Sequence, residues 1–512
     1  MENTDMQMKL KQAFTLHPFL FSIFPILFIF AMNSQEIKFN ELILPFSIVL
    51  SLTFVIVLAL GIVFKNKKAV GFIVSIGFLL FFSYGHIHDL ISNNFEVRHF
   101  VLESVFVVFF IITVFYFAKT KRKLNNSIKI ANTIGIVLIA ISAMNIISDN
   151  IQGNYSIDFL DTSENIVTTT VISDKPDVYY IVLDAYAGDY ALKNYFGYEN
   201  NEFLSFLTEN NFYVVPDAKT NYGTTFLSLA SSLNIQHHNC LKDADFCVGK
   251  GKAFEMIQNN KVMKKFNEEG YTIINSYSGW TPTRDFDIAY SNLCGRYSAT
   301  INSELTITII GKSMLNPIYV KLFEDVKRDQ VLCVFSELEE VQHSYEKPIF
   351  VFSHMVLPHH PYVFGANGED VSPETLEIGW EGLEDDKEGY LNQLKFTNKK
   401  IQHFITKVID ESEIPPIIII QGDHGLKSEM EDLQNPTDEE LKERFSILNA
   451  YYIPTKNELL EQNITPVNSF RIIINELFNE QLEMIPNTNY WTVPDPPYIK
   501  EVTQILQENK TN

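Results

Sequence analysis

Four consecutive isoleucines, Ile417 to Ile420, run straight into Gln421-Gly422-Asp423-His424-Gly425. A β-branched run that ends in a carboxylate and an imidazole reads as a buried parallel strand presenting two metal ligands at its carboxyl end, where open α/β sheets keep their chemistry. A charge buried there without a partner is costly. The apolar run 178–183 ends the same way in Asp184, and the run 349–353 leads into His354 and then Pro358-His359-His360-Pro361-Tyr362. The remaining group is a hydroxyl. Thr225 lies in Asn221-Tyr222-Gly223-Thr224-Thr225-Phe226-Leu227-Ser228, where a glycine loop gives way to the helical pattern of residues 226–233. A helix start turns free N–H groups and the positive dipole end toward a bound anion, which suits phosphoryl chemistry.

Asp184, Thr225, Asp423 and His424 make a hard donor set, suited to one divalent metal: Mn²⁺, Mg²⁺ or Zn²⁺. Such an ion lowers the pKa of a threonine hydroxyl so that it can attack, and neutralises charge growing on a phosphoryl oxygen. His359 is then placed to hydrogen-bond the phosphoryl group or protonate a leaving oxygen, with His354 and His360 as candidate substrate-binding residues. Each piece alone has a plainer explanation: a strand-end aspartate as a turn residue, a threonine as an N-cap, a histidine as a structural group. Their order and spacing together carry the assignment.

To converge, these residues need a common frame. Strand patterns at 178–183, 212–215, 271–275, 349–353, 417–420 and 446–452 alternate with helical patterns at 190–210, 226–233, 253–268, 330–343, 390–410 and 467–477. That order predicts an α/β sandwich with a mostly parallel central sheet over residues 176–512. A polar linker is expected over 151–175, and the acidic stretch 369–388 is expected to be a solvated loop.

The 512-residue chain carries a net charge of −22, but residues 1–150 are net positive, and the acidity belongs to the rest. An acidic surface of this kind argues against a nucleic-acid partner. In the first 150 residues, five apolar stretches at 18–32, 42–64, 69–91, 100–118 and 130–147 predict a bundle of five transmembrane helices. A cleaved signal peptide is the alternative for the first, but no small-residue cleavage pattern is evident. Lys65, Lys67, Lys68, Lys119, Lys121, Arg122 and Lys123 crowd two of the loops, which places the amino terminus inside and the large domain outside. His86, His88 and Asp89 stand at the outer end of the third stretch, where ionisable residues can mark a path or an interfacial loop. All four cysteines fall in the outer domain, an oxidising setting in which Cys240 and Cys247 are the natural local pair.

The order of these residues resembles the alkaline-phosphatase-like sulfatase superfamily, within it the membrane-bound branch of lipoteichoic acid synthases and phosphoethanolamine transferases. The resemblance covers roughly residues 175–480, and five spans followed by an outer domain match that branch. It implies that Asp184 is the acidic ligand, Thr225 the nucleophile, His359 the substrate histidine, and Asp423 with His424 the Asp-His pair. Thr225 is preferred to Thr224 because Ser228 stands three residues on. Asp184 is followed by Ala185, not a second aspartate, and no Cys/Ser-x-Pro-x-Arg signature surrounds Thr225, so sulfate-ester hydrolysis loses weight. Glutamate is common at the first ligand position in that branch, which leaves the subclass open. The implied activity is transfer of phosphoglycerol or phosphoethanolamine from a membrane phospholipid to a glycan or lipid-linked sugar at a bacterial cytoplasmic membrane. The alternatives are a hydrolase that resolves the intermediate with water and an inactive membrane scaffold.

Overall fold

The computed structural model describes residues 15–34, 37–92, 95, 97–153, 175–238, 250–298, 303–371, 386–426, 432–454, 463–493 and 498–507. The chain forms two compact units, Met1–Asp158 with Ala299–Phe323, and Phe159–Ser298 with Glu324–Asn512.

The first unit contains the helices His17–Met32, Phe39–Val63, Lys67–Ser92, His99–Lys119 and Asn125–Gly153. Among the described residues four helices, not five, are long and apolar enough to cross a membrane; His17–Met32 has 16 residues. At 1.5 Å per residue it rises about 24 Å, short of the roughly 30 Å of a bilayer core. Helix Phe39–Val63 exposes Ile43, Ile48, Leu52 and Phe54, the apolar exterior expected of a helix solvated by lipid. Residues 299–323, read from the sequence as part of the outer domain, belong to this unit. Their helix Glu304–Gly311 buries Leu305 and Ile309 among Ile26, Phe30, Val74 and Phe78.

The second unit is built on a seven-stranded sheet. Its strands are β1 (Val178–Leu183), β2 (Tyr213–Val214), β3 (Thr272–Ser276), β4 (Ser291–Leu293), β5 (Ile349–Met355), β6 (Ile417–Gly422) and β7 (Asn449–Tyr452), in the order β2-β7-β6-β1-β5-β3-β4. The pairings β6-β1, β1-β5, β5-β3 and β3-β4 are parallel, but β6-β7 and β7-β2 are antiparallel. Four of these six pairings are parallel, in keeping with the mostly parallel sheet expected, and the sheet is mixed only at one edge, where β7 returns beside β6 without a crossover to the sheet's other end. Side chains of β1 alternate between two cores, Tyr179, Ile181 and Leu183 on one face and Val178, Tyr180 and Val182 on the other. Burial on both faces explains why β1 and β6 read as unbroken apolar runs.

Two long helical patterns are each split. The expected helix 190–210 breaks at Gly197, a left-handed C-cap (φ 63°), into Asp189–Phe196 and Asn201–Glu209. The expected helix 253–268 breaks where the Asn260 side chain caps Met263 N–H, giving Lys250–Gln258 and Lys261–Glu268. β4 and the hairpin of β8 (Tyr490–Val493) and β9 (Tyr498–Glu501) are too short to have shown a pattern. Cys294 and Cys333 form a disulfide; the expected pair Cys240 and Cys247 lies outside the described residues, as do most of the expected linker and acidic loop.

Candidate active site

β1 is the central strand, and its register builds the site. Leu183 pairs with Gly422 of β6 and Met355 of β5, so Asp184 and Asp423 leave the sheet side by side, while His354 pairs with Val182 on the other flank. Carboxylate oxygens of Asp184 and Asp423 and a ring nitrogen of His424 lie within 4.8 Å of one another, all on buried residues. His424 Nε2 is 3.5 Å from Asp184 Oδ1, 3.5 Å from Asp423 Oδ2 and 3.1 Å from Thr225 Oγ1. Its Nδ1–H donates to the Gly425 carbonyl at 2.7 Å, and because a carbonyl only accepts, Nε2 carries the lone pair. Asp184 Oδ1 and Asp423 Oδ2 have no hydrogen-bond partner. Acceptors that converge in a buried space are stable around positive charge, so the donor set fits a divalent cation.

The electrostatics agree. Burial first, and the charge of Asp423 second, hold the Asp184 carboxyl well above the usual carboxylate range, against the pull of Lys327 and Arg444.

Thr225 is the first residue of the nine-residue helix Thr225–Leu233. Of the two adjacent threonines, Thr225 turns its hydroxyl to His424, while Thr224 is the N-cap and its buried hydroxyl has no partner. Several local devices hold the loops around it. Ala185 is in the left-handed region (φ 57°), which aims its N–H at Asp423 Oδ1 at 3.0 Å. For a residue with a Cβ that conformation is strained, a cost borne here to join the ends of β1 and β6. Tyr390 Oη donates to Ala185 O at 2.9 Å and accepts from Ala187 N–H at 3.0 Å. Thr220 Oγ1 donates to Asp423 O at 2.7 Å. The glycine of Asp-His-Gly is required by crowding, since a Cβ on Gly425 would collide with Glu443 O and lie 2.5 Å from Ser446 O.

His359 reaches the site by a backbone link, its N–H donating to Asp184 O at 3.2 Å. Its Nδ1–H donates to His360 O at 2.7 Å, and burial lowers its pKa to about 4. A neutral ring held this way offers Nε2 as a proton acceptor, so it must take up a proton before it can give one. His354 stands with Nε2 3.8 Å from Asp184 Oδ2 and Nδ1 2.8 Å from Thr283 Oγ1, its pKa also lowered to about 4 by burial. His360 contributes its carbonyl to His359, the two rings lying 4.2 Å apart.

Two cations were not anticipated from the sequence. Lys327 lines a cleft with Tyr277, Ser278, Gln330 and His354, its pKa lowered to about 8 by burial while Asp184 pulls it up. Arg444 is buried, with Nε on Gly223 O at 2.5 Å and Nη1 on Gly425 O at 3.3 Å, so one side chain ties the Thr225 loop to the His424 loop. Neither sits in a motif; only the fold brings them here.

No protein-family model and no curated protein matches the chain. Solved structures do. The integral membrane protein lipooligosaccharide phosphoethanolamine transferase A from Neisseria meningitidis aligns at 11% identity and a TM-score of 0.41, over 90% of this chain and 95% of that one. The C-terminal periplasmic domain of EcEptC from Escherichia coli, in complex with Zn, aligns at 13% identity and a TM-score of 0.38, over 62% of this chain and 90% of that one. A protein in the alkaline phosphatase superfamily from Vibrio parahaemolyticus aligns at 11% identity and a TM-score of 0.41, over 68% of this chain and 80% of that one.

Proposed function

We propose that this chain is a membrane-anchored transferase. It moves phosphoglycerol or phosphoethanolamine from a phospholipid to an envelope acceptor, a glycan or lipid-linked sugar, through a phosphothreonine at Thr225. One observation carries the reading: a hydroxyl at a helix start, 3.1 Å from His424 Nε2, beside two buried carboxylates with unpartnered oxygens.

Asp184, Asp423 and His424, with Thr225 beside them, would hold one divalent cation, Mn²⁺, Mg²⁺ or Zn²⁺, whose charge would support threonine ionisation and offset charge on the phosphoryl group. Thr225 Oγ1 bonds to phosphorus as the bond from phosphorus to the diacylglycerol oxygen breaks. The first N–H groups of helix Thr225–Leu233 receive phosphoryl oxygens, and the Lys327 ammonium balances their charge. The threonine proton leaves toward a base of the site as Oγ1 attacks, and His359, once it has taken up a proton on Nε2, gives one to the leaving diacylglycerol oxygen. A hydroxyl of the acceptor then bonds to phosphorus as the bond from phosphorus to Thr225 Oγ1 breaks, and the acceptor's proton passes to the threonine oxygen to regenerate Thr225. Spans in a bacterial cytoplasmic membrane, with the amino terminus inside and the catalytic unit outside, keep the site near a donor confined to the bilayer.

The test is to supply the purified full chain with labelled phosphatidylglycerol and phosphatidylethanolamine, with and without Mn²⁺ or Zn²⁺, and to weigh the trapped protein. Cation-dependent diacylglycerol release and added mass on Thr225 are expected. Release that persists in Thr225→Ala, or no release from either lipid, would overturn the reading.

A further inference from the structure

The return of residues 299–323 to the first unit has a chemical consequence. Helix Glu304–Gly311 and the turn after it are stitched to the helix Lys67–Ser92: Gly85 N–H donates to Lys312 O at 3.0 Å, Met314 N–H donates to Phe81 O at 3.0 Å, and Lys312 Nζ pairs with Asp89 Oδ2 at 2.5 Å. The approach needs a glycine, since a Cβ on Gly85 would stand 2.6 Å from Lys312 Cα. Leu305 and Ile309 face inward, into the helix bundle.

The far side of the turn is different. Leu315 is 44% exposed and Ile318 63% exposed, and at the same end of the unit Leu90, Phe95 and Phe100 are 72%, 69% and 79% exposed. Charged groups stand among these apolar ones, Lys312 paired with Asp89, and Arg98 exposed between Phe95 and Phe100. Apolar side chains interleaved with Lys and Arg at the end of a bundle of apolar helices match the water–lipid boundary, where cations meet phosphate and apolar groups meet acyl chain. The exposed surface is continuous with the apolar exterior of the spans, through Leu90 at the end of Lys67–Ser92 and Phe100 at the start of His99–Lys119.

We propose that the segment carrying Leu315 and Ile318, the end of that turn and the start of the helix Asn316–Ser344, lies in the head-group region of the bilayer and contacts phospholipid. The stretch between two halves of the catalytic unit is thus a membrane-contacting element in its own right. The occupant is phospholipid, and the inference stands whether or not Thr225 transfers a phosphoryl group.

Full-length Ile318→Trp and Leu315→Trp variants in bilayers, compared with the parent chain, test this. The probes are phosphatidylcholine brominated near the glycerol and phosphatidylcholine brominated at the chain end. Phe54→Trp in a span serves as the embedded reference, and Tyr290→Trp in the second unit as the aqueous one. Tryptophan at 318 or 315 is expected to be quenched at least threefold more by the shallow bromines than by the deep ones, and well beyond the Tyr290→Trp level. Quenching no greater than that of Tyr290→Trp at both positions overturns the proposal and leaves this face to a protein partner or to water. Quenching at either position by the deep bromines above all would place the segment inside the hydrocarbon core and also overturns it.

Discussion

Replacing Asp423 by asparagine should stabilise the cation-free protein and destabilise the cation-loaded one. In the native site the carboxylates of Asp184 and Asp423 lie within 4.8 Å of each other, and at that separation two charges repel by about 3 kcal/mol for an effective dielectric near 20. In Asp423→Asn the side-chain carbonyl keeps the acceptor for Ala185 N–H, and the amide puts a donor where an unpartnered oxygen now faces Asp184 and His424. The gain should grow with pH. The Asp184 carboxyl is raised in the native state, so the folded chain holds a proton that the unfolded chain gives up, and stability drains away as pH rises from the ordinary carboxylate value through the folded one. With cation at 100 times its Kd the parent regains about 2.7 kcal/mol, and the variant should gain little. Thermal unfolding of the full chain in detergent, with chelator and then with Mn²⁺ or Zn²⁺, should show the two curves exchanging order. A variant that melts below the parent in chelator would refute the reasoning, because the carboxylates would then not be a repelling pair awaiting positive charge.

Gly425→Ala drives a Cβ into the Glu443 and Ser446 carbonyls; an overpacking cost of about 1–3 kcal/mol and a loss of activity on the order of 100-fold from displacement of Asp423 and His424 should appear in unfolding and turnover assays. Arg444→Met should lower kcat much more than it raises KM for the lipid donor, since Arg444 joins the Gly223 and Gly425 loops; an unchanged kcat would show that the tie is idle. Reducing or deleting the Cys294–Cys333 bridge, which closes a loop of sequence separation 39, should cost about 4 kcal/mol of stability by loop entropy, read as a lower denaturation midpoint. Burial against Tyr222 lowers His238 to about 4, so its contribution to stability is complete above pH 6.5 and is lost as pH falls toward 4; His238→Gln should flatten that part of the stability–pH curve.

The strands that carry the site were legible because they are buried on both faces. A strand with no wet side must be apolar at every position, so Val178 to Leu183 and Ile417 to Ile420 stand out, and the first polar residue after each marks where the chain leaves the sheet. The places of Asp184, Asp423 and His424 at the strand ends followed from that, and the start of a helix at Thr225 from its own local pattern. The apolar spans were legible for a related reason, that lipid tolerates little else, although the first proved too short to count with the others. Helix ends were read less well, because Gly197 and Asn260 break helices by backbone and capping geometry that periodicity does not record. The antiparallel turn-back of β7, the arrival of Lys327 and Arg444 at the site, and the return of residues 299–323 to the first unit belonged to tertiary structure alone. Local pattern reports how much of each residue is buried. Which distant residues share that burial depends on strand order and register, and those are decided only when the whole sheet closes its core.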